Sequence, residues 1–330
     1  MHQQQNNNLT IYISYILSIF LGSCNDPYII LVPGNGQGAA DCYFPEAEKI
    51  TGYDYVFDSV SYERPYFNPN NPDEFIYLEN GDLYKYTISS LEKSLLYAPD
   101  HYIYFQPKWS RKGIIAFNTS DYNIWIMKDN GDSLTQITNT GTDTSVNFYG
   151  EFNYTGDSLM FETSGYYSDS DTRKIRIAFN NFTEFDTIFS PELSASGANW
   201  QKPGHLIYLT YDCMNLSGIY NSELSNKVCY SDTLFSTGGS TIWLENKVDF
   251  YCYGNGVFTG NFETNSLTKV KDMCPYIYYL FPCYSEVSGK VITSKITKEY
   301  LGDNKVHVST EIIIMNPDGS DEQIILPKPE

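Results

Sequence analysis

The 330-residue sequence has few charged residues, and basic residues are the scarcer kind. Charged residues make up 18% of the chain, with 21 lysines and arginines against 40 aspartates and glutamates. Lysine and arginine contacts to phosphate dominate affinity for nucleic acids, so a formal net charge of −19 without any basic run excludes a nucleic-acid-binding protein. The same charge disfavours adsorption to anionic lipid, so attachment to a membrane would need a separate anchor.

Residues that commonly carry catalysis or bind metals are also sparse. The 4 histidines are widely separated, no Cys-x-x-Cys pair occurs, and the Gly-x-Ser-x-Gly element of α/β-hydrolases is absent. Gly-Asp-Ser-Leu, the nucleophile block of one family of lipases and esterases, occurs at 131–134 and 156–159, in both places within a sequence typical of a turn. We therefore predict a protein that is not an enzyme, with no catalytic residues, no metal site and no cofactor.

Aromatic residues are abundant, with 30 tyrosines and 19 phenylalanines, and short apolar runs alternate with turn residues. This pattern is typical of antiparallel strands, and no amphipathic helix pattern follows residue 24. The pattern repeats at intervals of about 43 residues. The aromatic residues on which the copies align, called the repeat aromatics below, are Phe67, Trp109, Phe152, Trp200, Trp243 and Tyr284.

The clearest copy runs over residues 107–138, where Asn130-Gly131 is a strong signal for a hairpin turn. A period near 43 residues in all-β units predicts propeller blades of four antiparallel strands, and six copies predict six blades. By its pattern the last copy is one strand short, so we expect the strand at 54–62 to complete it. Such closure joins the two ends of the chain and removes an exposed sheet edge.

Residues 107–138 resemble the repeat of the TolB-like, or WD40-like (PD40), β-propeller family. That repeat runs Pro-x-Trp-Ser-Pro-Asp-Gly, a first strand of the type Ile-Ala-Phe, a second of the type Ile-Tyr-Val-Met, Asp-Gly, and a closing Gln-Leu-Thr. Residues 315–320 match its second half, and the resemblance covers roughly residues 55–330. It implies an all-β, six-bladed propeller that offers faces for binding proteins or peptides.

The N-terminal segment indicates export from the cytoplasm. Residues 9–22 form an apolar run too short for a permanent membrane-spanning helix. The run ends at Leu21-Gly-Ser-Cys24, which resembles a bacterial lipobox. We predict a lipoprotein signal peptide at 1–23, lipid attachment at Cys24, a tether at 24–50 and the propeller at 51–330. The expected location is the bacterial cell envelope, lipid-anchored at the outer membrane with a periplasmic or surface face; an ordinary signal peptide is the alternative.

Six further cysteines follow Cys24, which is compatible with three disulfides in an exported protein. Spacing favours a disulfide between Cys213 and Cys229 inside one blade, and another between Cys274 and Cys283 ahead of the last blade. Cys42 and Cys252 would remain as the third pair. Buried free thiols are the alternative for each of them.

Two tyrosine-rich segments precede repeat aromatics, and they are the candidate ligand-contact face: Tyr102, Tyr104, Tyr276, Tyr278 and Tyr279. Connections that lead to inner propeller strands approach the central channel, and tyrosine offers a large contact area with a polar tip. The alternative is that these rings pack between blades. We predict a scaffold that binds an envelope protein or peptide. A glycan-binding module is the second reading, and a propeller hydrolase or lyase is the third.

Overall fold

A computed structural model describes residues 54–100, 102–139, 146–164, 174–189, 195–200, 205–210, 213–218, 224–229, 241–244, 249–253, 256–273 and 277–328. These residues form strands, turns and connecting segments, and none of the residues so described is helical. Within them there is accordingly no helix able to cross a membrane.

The strands of the described chain lie in six separate sheets. The first sheet contains β2 (Tyr62–Asn68), β3 (Asn71–Glu79), β4 (Asp82–Thr87) and β5 (Glu92–Tyr97). The second contains β6 (Lys108–Trp109), β7 (Ile114–Asn118), β8 (Ile124–Lys128) and β9 (Thr135–Gln136). The third contains β10 (Val146–Phe152), β11 (Leu159–Ser164), β12 (Lys174–Phe179) and β13 (Glu184–Phe189).

The other three sheets follow in chain order. The fourth contains β14 (Ala195–Trp200), β15 (His205–Thr210), β16 (Cys213–Gly218) and β17 (Leu224–Cys229). The fifth contains β18 (Thr241–Trp243), β19 (Asp249–Tyr253), β20 (Gly256–Asn261) and β21 (Ser266–Asp272). The last contains β22 (Ile277–Ser285), β23 (Lys290–Gly302), β24 (Lys305–Met315) and β25 (Gln323–Leu326), together with β1 (Asp54–Phe57).

Each repeat aromatic lies in the first strand of a different sheet, as the repeat predicts. Where the turn after it contains glycine, the backbone adopts the left-handed conformation that glycine favours, with φ of 70° at Gly113 and 74° at Gly156. The turn of the third sheet also packs closely on the turn of the second. A Cβ at Gly156 would lie 3.1 Å from the Cβ of Ser110.

The apolar core lies between neighbouring sheets, because alternate side chains of a strand point to opposite faces. On β3, Phe75 and Tyr77 pack with residues of the last sheet. Ile76 and Leu78 on the same strand pack with residues of the second sheet. All four side chains are buried. The first sheet therefore lies between the last sheet and the second.

The last sheet is covered on both faces in the same way. Ile292 and Ile312 pack with the first sheet. Their neighbours Val291 and Ile313 pack with residues of the fifth sheet. The sheet formed at the end of the chain is thus in contact with the sheet formed at its beginning.

The edge of the last sheet differs from our expectation. This sheet is not one strand short, because β25 returns after the turn at 316–320 and pairs antiparallel with β24, with Leu326 opposite Ile312. The N-terminal strand does join the same sheet, but as an additional strand. It pairs in parallel with the other end of β24, where Tyr55 is opposite Val306.

The β23–β24 hairpin extends past the end of its neighbour β22. Pairing between β22 and β23 ends at Ile277 and Thr297, whereas the hairpin continues to its turn at Asp303 and Asn304. Both turn residues have positive φ, 49° and 62°. β1 lies along this extension and covers part of its edge.

Candidate binding site

Five aromatic side chains contact one another in the segment before β6, in the β7–β8 turn and at the start of β10. We call them the tyrosine cluster: Tyr102, Tyr104, Phe105, Tyr122 and Phe148. Ring centroids are 5.1 Å apart for Tyr102 and Tyr104, and 5.5 Å apart for Tyr104 and Tyr122. Phe105 and Phe148 are 5.7 Å apart in an edge-to-face arrangement. All five side chains are half-buried, so the cluster presents aromatic surface on a packed support.

Tyr104 is the central member of the cluster. Burial raises its pKa, and hydrogen bonds with the hydroxyls of Tyr102 and Tyr122 raise it further. The hydroxyl is therefore protonated at every physiological pH. The hydroxyl is held by the Tyr102 and Tyr122 hydroxyls, while the ring offers apolar area.

A buried asparagine holds the cluster in position. Asn147 on β10 is fully buried, and its Nδ2 donates to the carbonyl oxygen of Tyr122 at 3.1 Å and to Oγ1 of Thr138 at 3.4 Å. Its Oδ1 accepts from the hydroxyl of Thr163 at 3.0 Å. Asn118 Nδ2 in turn donates to the carbonyl oxygen of Asn147 at 3.0 Å. Because a buried polar group is costly when unsatisfied, these bonds favour one arrangement of the second and third sheets.

The β7–β8 turn presents Tyr122 in a left-handed conformation, with φ of 60°. The hydroxyl of Thr119 donates to Asp121, whose Oδ1 also accepts from the backbone N–H of Asn123 at 3.1 Å. A non-glycine residue with positive φ is unfavourable unless its surroundings impose it. Here the Asp121 bonds and the contact of Asn147 with the Tyr122 carbonyl impose it.

Carboxylates lie next to the cluster. Asp121 belongs to the same turn as Tyr122, and Asp100 precedes Tyr102 by two residues. The pKa of Tyr97, whose ring packs on Phe117, is raised mainly by burial. The negative charges of these two aspartates raise it further. Two carboxylates therefore lie at this end of the sheets, together with the buried Arg64 guanidinium, which donates to the Ile103 carbonyl.

The predicted ligand-contact residues lie in different surroundings. Tyr102 and Tyr104 lie together in the cluster. Tyr279 is buried at 6% exposure in the core between the fifth and last sheets, and its hydroxyl donates to Glu322. Tyr278 is half-buried on the last sheet beside Lys298 and is not a member of the tyrosine cluster. Tyr276 lies outside the described residues.

Phe105, Tyr122 and Phe148 were not among the predicted site residues. Phe105 directly follows Tyr104 in the same aromatic segment, so the sequence alone was sufficient to include it. Tyr122 and Phe148 come from a turn and from the next repeat. Nothing in their local sequence indicates that pairing within the second sheet brings Tyr122 to Tyr104, or that the third sheet brings Phe148 to Phe105 and Tyr122.

The position of the cluster follows from the direction of the first strands. Contacts along these strands and the residues that flank them follow one another in chain order, which shows that the strands run in the same direction. Gln106 donates to the Phe281 carbonyl at 2.7 Å. Further along, Lys108 lies 2.8 Å from Glu151 and Arg111 lies 2.9 Å from Glu286. The tyrosine cluster lies at the end where these strands begin, and Arg111 lies at the opposite end.

Between these ends, polar side chains fill the space where the first strands meet. Lys108 Nζ lies 2.8 Å from Glu151 and 2.9 Å from Oε1 of Gln106. The hydroxyl of Tyr66 donates to Glu151 at 2.9 Å, and Gln106 donates to the carbonyl oxygen of Pro65 at 2.6 Å. Lys108, Glu151 and Gln106 are all buried. Hydrogen-bonded polar side chains therefore occupy the space between the two ends.

The cysteines give a mixed result. The backbone register of β16 and β17 makes Cys213 and Cys229 direct partners, as their predicted pairing requires. Cys283 is a free, buried thiol, and burial raises its pKa to about 12. The structure therefore differs from the predicted bridge to Cys283, because this side chain packs in the core with Phe67 and Ile292. Cys24 and Cys274 lie outside the described residues.

Both Gly-Asp-Ser-Leu segments occupy turns. Ser133 has positive φ in the turn after β8, and Ser158 donates to Asp157 at 3.2 Å within its own turn. His307 contacts Asp58 at 2.7 Å. Across the ranges that the structure describes, no group of three His, Cys, Asp or Glu side chains converges as a metal site would require.

No protein-family model matches the sequence, and no curated protein sequence matches it. Solved structures do match it. TolB from Acinetobacter baumannii superposes with a TM-score of 0.54 at 13% identity, covering 79% of this chain and 61% of that one. An oligogalacturonate lyase in complex with manganese gives 0.53 at 9% identity, covering 80% and 77%. A structural genomics protein of unknown function from Bacteroides thetaiotaomicron gives 0.52 at 12% identity, covering 72% and 68%.

TolB and the oligogalacturonate lyase are both TolB-like β-propellers. This chain has a β-propeller fold. The identities are low, so the likeness shows the fold alone, and this chain spans 61% of the length of the TolB structure. In propeller terms, the tyrosine cluster lies on the face where the innermost strands begin.

Proposed function

We propose that the chain forms a closed propeller of six blades. Support comes from the six sheets, from the repeat aromatic in the first strand of each, and from the last sheet packing on the first through Ile312 and Phe75. In this proposal β1 holds the closure by joining the last blade beside β25. A ring closed in this way buries both faces of every blade, which a single four-stranded sheet cannot do alone.

The tyrosine cluster supports a second proposal, that this propeller is a non-enzymatic scaffold that binds a basic segment of a protein or peptide. Tyrosine and phenylalanine provide contact area at low entropic cost and are enriched at recognition surfaces. Tyr104 and its neighbours are held rigidly by the buried Asn147 network, so little ordering free energy would be lost on binding.

The charge favours a basic partner. The chain carries a formal charge of −19, and Asp100 and Asp121 lie beside the cluster. Lysine and arginine side chains of a partner would approach carboxylates and aromatic faces at the same time, and both interactions are favourable. Such a complex should weaken as the salt concentration rises.

We also propose that the protein is a lipoprotein of the bacterial envelope, anchored through Cys24. The lipobox-like Leu21-Gly-Ser-Cys24 and the short apolar run before it support this. Labelled palmitate should be incorporated into the wild-type protein and not into Cys24→Ala. Equal labelling of both proteins would refute the anchor without affecting the proposal for the tyrosine cluster.

Peptide selection tests the binding proposal directly. A phage-displayed random peptide library selected on the purified propeller should yield sequences rich in Lys and Arg. Their affinities, measured by fluorescence anisotropy, should fall at least about tenfold for Tyr104→Ala. Tyr154→Ala is the matched control, because this tyrosine is 49% exposed and contacts Arg111 at the opposite end.

Two results would count against the proposal: selected peptides without basic character, or equal loss of affinity in Tyr104→Ala and Tyr154→Ala. Thermal unfolding of each variant separates loss of binding from loss of fold. Tyr122→Ala provides an independent test of the same surface.

A glycan-binding role is the second candidate. The half-buried tyrosine rings could stack on sugar faces, and one matching structure is an oligogalacturonate lyase. Binding to a panel of neutral and acidic oligosaccharides, lost in Tyr104→Ala, would favour this candidate over a peptide. A hydrolase or lyase activity is the third candidate, and turnover of any oligosaccharide in that panel would establish it.

A further inference from the structure

Lys298 lies between two tyrosine rings where the β23–β24 hairpin extends past β22. Its Nζ is 5.0 Å from the ring centroid of Tyr278 and 5.6 Å from that of Tyr55. The three residues come from three strands, β23, β22 and β1. We call this arrangement the lysine cradle.

Three other lysines of the described chain also lie over a tyrosine ring, and each of them pairs with a carboxylate as well. They are Lys93 over Tyr84 with Glu79, Lys108 over Tyr66 with Glu151, and Lys271 over Tyr279 with Glu322. Their Nζ–carboxylate distances are 2.9, 2.8 and 2.9 Å. Among the residues for which the structure gives side chains, none forms an ion pair with Lys298.

Lys298 lies between buried apolar side chains and a partly exposed tyrosine. Its cross-strand partner Val308 is buried, as is Val306, the partner of Tyr55. Tyr55 itself is 41% exposed and stacks on Phe57 with ring centroids 6.2 Å apart, and Lys298 is half-buried. A ligand bound to the ammonium would therefore also contact the exposed part of Tyr55.

Two physical effects act on this ammonium group. Burial lowers the pKa of Lys298, because it removes water from the charged form. The faces of the two tyrosine rings attract the cation and favour that same charged form. Neither effect supplies the oxygen acceptors that an ammonium group takes up through its three N–H donors.

We propose that the lysine cradle binds the carboxylate group of a ligand. The Lys298 ammonium donates to the carboxylate oxygens, and the part of the ligand next to the carboxylate lies against the exposed ring of Tyr55. This completes the arrangement of ring, lysine and carboxylate that the molecule itself builds at Lys93, Lys108 and Lys271. The proposal is independent of the tyrosine cluster, which shares no residue with the cradle.

Side-chain NMR of lysine ε-carbons tests the proposal, with sodium benzoate as the probe and sodium chloride as the control anion. Benzoate should shift the Lys298 resonance saturably, and chloride at the same concentration should not. Lys298→Met should weaken benzoate binding about tenfold or more, because it removes the charge and keeps the length of the side chain.

Two further variants guard against a change in fold or in overall charge. Lys298→Arg keeps the cation and should retain measurable binding. Lys305→Met removes an exposed lysine of the same hairpin and should bind benzoate as the wild type does. The proposal fails if benzoate causes no saturable shift, if chloride competes equally, or if Lys305→Met loses as much affinity as Lys298→Met.

The source of the carboxylate is decided by a pair of short peptides ending in Phe, one with a free carboxyl terminus and one with a terminal amide. Tighter binding of the acid than of benzoate identifies a chain terminus, whereas weaker binding of the acid identifies a free small acid. Equal binding of the acid and the amide would overturn the proposal, because the carboxylate would then not be recognised.

Discussion

Replacing Asn147 by alanine should loosen the tyrosine cluster and destabilise the propeller. The side chain is fully buried and makes hydrogen bonds to the Tyr122 carbonyl, Thr138 and Thr163. Alanine removes all three bonds, and of their partners Thr138 is buried while Tyr122 and Thr163 are half-buried. The β7–β8 turn then loses a contact that holds Tyr122 at positive φ.

The magnitude follows from what each partner has left. The Tyr122 carbonyl still accepts the backbone N–H of residue 147 at 3.2 Å, and Thr138 still accepts the backbone N–H of Ile124 at 2.8 Å. The Thr163 hydroxyl loses the acceptor at 3.0 Å. One hydroxyl left without its acceptor, and two acceptors that each lose one of their bonds, cost about 3 kcal/mol in total. With an m-value of about 3 kcal/mol/M, the urea midpoint falls by about 1 M.

Equilibrium urea unfolding followed by tryptophan fluorescence measures this shift. Asn153→Ala is the matched control, because Asn153 makes a similar number of side-chain hydrogen bonds in a solvent-exposed turn at the opposite end, such as the one to Asp157 at 2.6 Å. Water replaces bonds at an exposed site, so this control should lose only about 1 kcal/mol. Equal loss in both variants, or a loss below about 0.5 kcal/mol in Asn147→Ala, would refute the role given to the buried network.

Three further predictions concern single residues. Burial alone would raise the pKa of Glu322, but hydrogen bonds from Lys295 and Lys271 outweigh it and lower this pKa. The stability that Glu322 contributes is therefore complete above the usual value of 4.5 and is lost as the pH falls through the lowered pKa. Glu322→Gln should therefore reduce stability by about 1 kcal/mol at pH 7 and by less under acid, which urea titrations at both pH values would show. Cys283 should resist alkylation until the protein unfolds, and peptide mass spectrometry that finds it labelled in the native state would contradict its burial. Gly156→Ala should cost about 2 kcal/mol, because φ is 74° and the new Cβ would lie 3.1 Å from Ser110. Gly289→Ala, with open space around it, should lower the thermal unfolding midpoint less.

The architecture could be predicted from the sequence because its repeat has a physical cause. Every copy has a bulky aromatic in its first strand, and the glycines in the turns that follow Trp109, Phe152 and Tyr284 have positive φ. The four-residue strand β25 was missed because it lies between a turn and Pro327, where a short apolar run has little periodicity. Its omission led us to expect that the N-terminal strand would occupy its place.

The candidate site was only half predictable. Tyr102 and Tyr104 could be found because they precede a repeat aromatic by a short, fixed distance along the chain. Tyr278 and Tyr279 have the same local signal, but successive residues of a strand point to opposite faces, and Tyr279 points into the core. Tyr122 joins the cluster because the segment before β6 pairs with the end of β7, with Ile103 opposite Thr119, and this pairing is not recorded in any local pattern of residues.

Amide hydrogen exchange with and without a selected basic peptide tests the central claim most directly. Binding at the tyrosine cluster should slow exchange over residues 102–105, in the turn at 119–123 and at 146–148. The turns at 110–113 and 153–157, at the opposite end, should exchange as they do in the free protein. Protection confined to those opposite turns, or absent from the cluster, would contradict the claim that this propeller binds its partner through these aromatic residues.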